Sequence, residues 1–76
     1  MFINLTIEVN GIRRDIRIDS EQKIKNSLAV LRQSGKLPFG DVPDYFRSRL
    51  NQRAISAHKT FSEEGVYDGD VLYAIL

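Results

Sequence analysis

From Met1 to Val9 the chain alternates, Met1, Ile3, Leu5, Ile7 and Val9 being separated by Phe2, Asn4, Thr6 and Glu8. A period of two predicts a strand with one face in a core. Asn10-Gly11 follows directly. The pair suits a two-residue type I′ turn, whose central residues both need positive φ, so a second strand is predicted over Ile12 to Ile18. The short loop fixes the register: Val9 opposite Ile12, Ile7 opposite Arg14, Leu5 opposite Ile16 and Ile3 opposite Ile18. On the other face Glu8 then meets Arg13, an opposite-charge pair that supports this alignment. Arg14 is the misfit on the apolar face. Either its stem packs while its head reaches water, or a bulge shifts the count.

Asp19-Ser20-Glu21-Gln22 has the form of a helix start, with Asp19 as N-cap and Gln22 completing a capping box. Ile24, Leu28 and Leu31 follow at helical spacing, which predicts a helix of about four turns ending near Ser34, with Gly35 in the left-handed position beyond it. Pro38, Gly40 and Pro43 mark Lys36 to Asp44 as a loop. Alternation resumes from Tyr45 to Asn51, a small edge strand is expected around Ala54 to Ala57, and Glu63 to Val66 is expected to turn. Asp68-Gly69-Asp70 then leads into a last strand, Val71 to Leu76. That segment is apolar on both faces, as a central strand requires, and its natural place is parallel to the first. The order predicts an α+β fold, a mixed sheet of four to five strands with one helix packed on one face.

Seventy-six residues allow one domain, residues 1–76, and one core. With no cysteine and a single histidine, stability has to come from packing rather than from disulfides or a metal. Eleven Lys and Arg against ten Asp and Glu leave a net charge of +1, too little for a general attraction to nucleic acid or anionic lipid. Residues 1–9 lack the basic start and apolar run of a signal peptide. The longest apolar run, Val71 to Leu76, is far shorter than the ~20 residues of a membrane helix. No membrane insertion is expected, and the expected location is cytoplasmic. The Asn4-Leu5-Thr6 glycosylation sequon reads as coincidence.

The opening hairpin with Gly11, Ile24 and Leu28 on the helix, Gly35 after it, and Thr60-Phe61-Ser62 with Gly65-Val66 before an apolar closing strand together resemble ubiquitin over nearly the whole chain. The resemblance implies a ubiquitin-like β-grasp fold. The ending Asp68-Gly69-Asp70-Val71-Leu72-Tyr73-Ala74-Ile75-Leu76 resembles the small bacterial YukD/EsaB proteins, which accompany type VII secretion systems. That likeness implies a cytosolic accessory or regulatory role, with secretion-machinery components among its protein partners. Conjugation and sulfur-carrier chemistry need a flexible Gly-Gly tail, whereas this sequence closes on Ala74-Ile75-Leu76. A modifier or sulfur-carrier protein lacking that tail is therefore the alternative reading.

No catalytic set is expected. His58 has a lysine and no carboxylate beside it in sequence, and it alone cannot supply a Ser-His-Asp relay or a zinc site. Asp68-Gly69-Asp70 lacks the further ligands of a calcium loop and reads as a tight turn. Neither a cofactor nor a small-molecule substrate is expected. Arg47, Arg49 and Arg53 form the one basic cluster; as a small nucleic-acid-binding domain it would need aromatic platforms, and only Tyr45 is near in sequence. The sharper candidate is the sheet face away from the helix. If Ile3, Leu5 and Leu72 face the core, then Phe2, Val71, Tyr73 and Ile75 face outward, and Tyr45, Arg47 and Arg49 are expected beside them. An apolar and aromatic centre with an arginine rim is the composition of a protein interface. In ubiquitin, by the same resemblance, the corresponding face is the main recognition surface.

Overall fold

The computed structural model describes residues 1–37 and 40–75. Its elements are β1 (Phe2–Val9), β2 (Ile12–Asp19), α1 (Ile24–Gln33), β3 (Tyr45–Ser48), β4 (Arg53–Ser56) and β5 (Val71–Ile75). The strands form one mixed sheet in the order β2-β1-β5-β3-β4.

Asn10 and Gly11 take φ values of 52° and 78°, the positive angles a type I′ turn needs. The β1–β2 ladder runs unbroken from Phe2–Asp19 to Val9–Ile12 in the expected register. Arg13 Nε sits 2.6 Å from Glu8 Oε1. No bulge intervenes at Arg14; it stays opposite Ile7, and its guanidinium reaches outward to donate to the Arg13 carbonyl.

The predicted capping box does not form, and α1 starts at Ile24 with Lys23 as an N-cap that makes no side-chain bond. The reason is tertiary. Segment 57–62 pairs with the backbone on either side of this start: Ser62 N–H donates to Ser20, Ile24 N–H to Lys59 and Lys25 N–H to Ala57. These partners satisfy donors that a capping side chain would otherwise serve, and they hold Asp19 to Lys23 out of the helix. Asp19 instead closes a turn, accepting the Glu21 N–H on its side chain and the Gln22 N–H on its carbonyl. The helix is accordingly shorter than the pattern suggests. At its end Gly35 has φ 80°, and Lys36 N–H returns to the Leu31 carbonyl while Gly35 N–H returns to Arg32. This is the Schellman arrangement that glycine favours.

β3 stops three residues before the predicted Asn51. Beyond Ser48 the chain turns, with Leu50 N–H captured by the Asp70 carboxylate and Gln52 at φ 52°, so β4 begins at Arg53. The 36–44 segment is irregular where described; Pro38 of that predicted loop, and Leu76 of the predicted last strand, lie outside the described residues. β5 lies in the middle, parallel to β1 and antiparallel to β3. The core collects Ile3, Leu5, Ile7 and Val9 of β1, Ile24 and Leu28 of α1, and Phe46, Ile55, Phe61, Val66 and Leu72, all buried. One face of the sheet is thereby covered, and the other is left to solvent.

Candidate protein-binding face

Alternation in a strand sends neighbouring side chains to opposite faces. With Leu72 fully buried, Val71, Tyr73 and Ile75 take the outer face, as expected. Antiparallel pairing sets Tyr45 beside Ile75 and Arg47 beside Tyr73. On the other flank β1 sets Glu8 beside Tyr73 and Thr6 beside Val71. The Arg49 N–H donates to the Val71 carbonyl at 3.0 Å, continuing the β3–β5 pairing and carrying Arg49 to the end of the row. The structure thus brings Tyr45, Arg47, Arg49, Val71, Tyr73 and Ile75 onto one side of two adjacent segments, 45–49 and 71–75.

Their surface contributions differ. Tyr45 is 55% exposed and Ile75 45%. Arg47 and Arg49 are exposed and Tyr73 is half-buried. Val71 is only 5% exposed, a short side chain in a central strand with Thr6 and Arg49 as register neighbours, so it supports the face without presenting it. The sequence pattern missed Ala54 and Ser56, which β4 sets opposite Arg47 and Tyr45. It had no means of giving the β3–β4 register.

Charge is uneven across this face. Along β3, β4 and β5, and at Arg49 just past β3, the outward positions carry Arg47 and Arg49 and no carboxylate. Arg47 leans on the Gln52 carbonyl at 3.2 Å. The neighbouring acid, Glu8, is engaged by Arg13, whose pKa is raised first by that hydrogen bond and then by the charge of Glu8, with a smaller contribution from Tyr73. The arginine rim therefore keeps its positive field.

Other sequence candidates are dispersed. Arg53 leaves the basic cluster: its strand position pairs with Ser48, and its guanidinium donates to the Glu64 carbonyl at 2.6 Å. His58, which lacks a carboxylate in sequence, gains one in space, with Nε2 lying 3.1 Å from Asp44 Oδ1. Lys25 binds the same oxygen. The Lys25 hydrogen bond is the main cause that lowers the Asp44 pKa, followed by its charge, with His58 adding less. The carboxylates of Asp68-Gly69-Asp70 serve the fold. Asp68 accepts the Asn4 N–H at 2.7 Å, while Asp70, 1% exposed, accepts the Ser48 hydroxyl and the N–H groups of Leu50 and Val71.

No protein-family model matches the chain, and no curated protein matches it. Solved structures do. The EccD5 ubiquitin-like domain from Mycobacterium xenopi aligns over 96% of this chain and 91% of its own, at 19% identity and a TM-score of 0.57. The UBL domain of Plasmodium falciparum Dsk2 aligns over 96% and 97%, at 16% identity and a TM-score of 0.58. The fold is ubiquitin-like. The mixed five-stranded sheet with one covering helix is the architecture expected of the ubiquitin-like β-grasp.

Proposed function

We propose that this ubiquitin-like domain is a non-catalytic protein-binding module whose partner docks on the outer sheet face around Tyr73. The observation that carries the reading is the convergence of Tyr45, Tyr73 and Ile75 from two strands with Arg47 and Arg49 at the margin and no carboxylate among them. Aromatic residues and arginine are the residue types that dominate interface energetics. The likeness of the segment Asp68–Leu76 to the YukD/EsaB proteins supports a place among the cytosolic accessory components of a bacterial type VII secretion system.

The test uses capture from a bacterial lysate with the wild-type domain, Tyr73→Ala and Arg47→Ala, followed by titration of whatever is retained. Tyr73→Ala is expected to weaken binding by about thirtyfold, while costing roughly 1 kcal/mol or less of stability. Arg47→Ala should weaken it less and reduce its salt dependence, as a rim charge does. If affinity is unchanged and the melt falls sharply, Tyr73 is structural and the proposed site is wrong.

One observation favours a second reading. The fold adds Tyr73 to Tyr45 beside Arg47, giving the basic strip a second aromatic platform of the kind single-stranded nucleic acid uses. Binding of labelled oligonucleotides that collapses with rising salt, and with Tyr73→Ala, would support it over a protein partner.

A further inference from the structure

The two edges of the sheet are finished differently. At β4 three of the four outward groups are occupied: Ser56 N–H donates to Glu64 Oε2 at 2.7 Å, the Ser56 carbonyl accepts from the Lys59 N–H, and the Ala54 carbonyl accepts from Arg53. At β2 they are largely not. A two-residue hairpin closes on a hydrogen-bonded pair, here Val9 and Ile12, so the bonded pairs recur at Arg14, Ile16 and Ile18. Arg13, Asp15, Arg17 and Asp19 therefore turn their N–H and C=O groups away from the sheet. The Arg13 carbonyl is taken by Arg14 and the Asp19 carbonyl by Gln22. Among the described residues, the outward groups of Asp15 and Arg17 have no partner. An eight-residue edge strand without proline or bulge is a template for another strand.

The side chains on this edge select which strand. The four outward-bonding positions alternate in sign, Arg13, Asp15, Arg17, Asp19. Reversed, that series is its own complement. We propose that β2 pairs antiparallel with β2 of a second copy, about a two-fold axis at Ile16. Asp15 then lies opposite Arg17 of the second copy, Arg13 opposite its Asp19, and each pair occurs twice. An axis at Asp15 would oppose Asp15 to itself and Arg13 to Arg17; one at Arg17 would oppose Arg17 to itself and Asp15 to Asp19. The Ile16 axis alone uses all four charges favourably, and opposite charges directly across strands are the stabilising case. Both symmetry and register follow from the sequence of one strand.

On the helix side Ile16 meets Ile16 of the second copy and Arg14 lies opposite its Ile18, beside the groove between β2 and α1 that Ile18, Val30 and Leu31 line. Val30 is 64% exposed there. On the outer side the charges are already positioned within the chain: Arg13 by Glu8, Asp15 by the Thr6 hydroxyl at 2.7 Å, and Arg17 over the Phe2 ring at 5.5 Å. Asp15 uses only one carboxylate oxygen and Arg13 only its Nε in those contacts, so each has atoms left to face the second copy.

Sedimentation of the full chain from micromolar to millimolar concentration, at low and high salt, tests this. The wild type is expected to dimerise and to dissociate as salt rises. Asp15→Arg and Arg17→Asp should each turn two attractive pairs into repulsive ones and weaken the dimer by about tenfold or more. Mixing the two variants should restore it, because Asp15→Arg against Arg17→Asp leaves every opposed pair opposite in sign. The double variant should also dimerise. Melts of each variant confirm folding, and amide shifts at Asp15 and Arg17 locate the contact. A wild type monomeric throughout, singles that associate like the wild type, or a mixture that stays monomeric would overturn the proposal.

Discussion

Ser48 has no exposed surface. Its hydroxyl donates to Asp70 Oδ2 at 2.5 Å and accepts from both the backbone and the side-chain amide of Asn51. Asn51 in turn holds the Gly65 carbonyl at 2.8 Å. Ser48→Ala removes the centre of this network and leaves a buried carboxylate oxygen without its donor. A cost of about 2 kcal/mol is expected, read as a lower urea midpoint with an unchanged slope. The local sequence announced the turn at Asp68-Gly69-Asp70, and Gly69 does take φ 88°. It did not announce the Asp70–Ser48 contact, which exists because β3 and β5 align Ser48 with Leu72. Asp44 was hidden for the same reason: Lys25, Asp44 and His58 meet only after the helix and two loops are in place. Its lowered pKa means that the unfolded chain binds the proton more readily. The stabilisation is therefore whole above the ordinary carboxylate value of 3.8 and is lost as pH falls below it, through the native pKa. Denaturation across that range should show a shallower decline for Asp44→Asn than for the wild type. Added salt should shrink the difference, since the group is exposed.

At the scale of elements, the turn and register of the β1–β2 hairpin were legible because their information is local: alternation, a two-residue turn and one charge pair; only the far ends differ, Asp19 closing β2 instead of capping the helix. A Cβ built on Gly11 meets nothing within 4 Å, so the cost of a β-carbon there comes from the positive φ and not from a clash. Gly11→Val is expected to destabilise the fold by about 1 kcal/mol or more. An unshifted denaturation midpoint would contradict the type I′ assignment. The start of α1 was misread because Asp19 and Gln22 satisfy the spacing of a capping box while the backbone of segment 57–62 supplies the donors' partners instead. The candidate face was legible only in part. Alternation in β5 gave the outward direction of Tyr73 and Ile75, whereas the contribution of β4 and the burial of Val71 depend on which strands become neighbours.

The whole molecule is held together by its last strand. β2 and β1 form one hairpin, β3 and β4 another, and β5 is the strand that bonds to both. Ending the chain after Asp70 should therefore abolish the cooperative melt and the dispersion of amide signals, where loss of an edge strand would only weaken them. Retention of a cooperative transition would mean that the helix alone unites the two hairpins. The same arrangement has a meaning for synthesis. A polypeptide leaves the ribosome from its amino end, and the opening hairpin emerges early with nothing to close against. Until Val71–Ile75 clear the exit tunnel, the apolar row of β1 waits unpaired on one side. The sheet of this domain is thus completed only once its own β5 has been made, and until then the nascent hairpins leave apolar surface exposed.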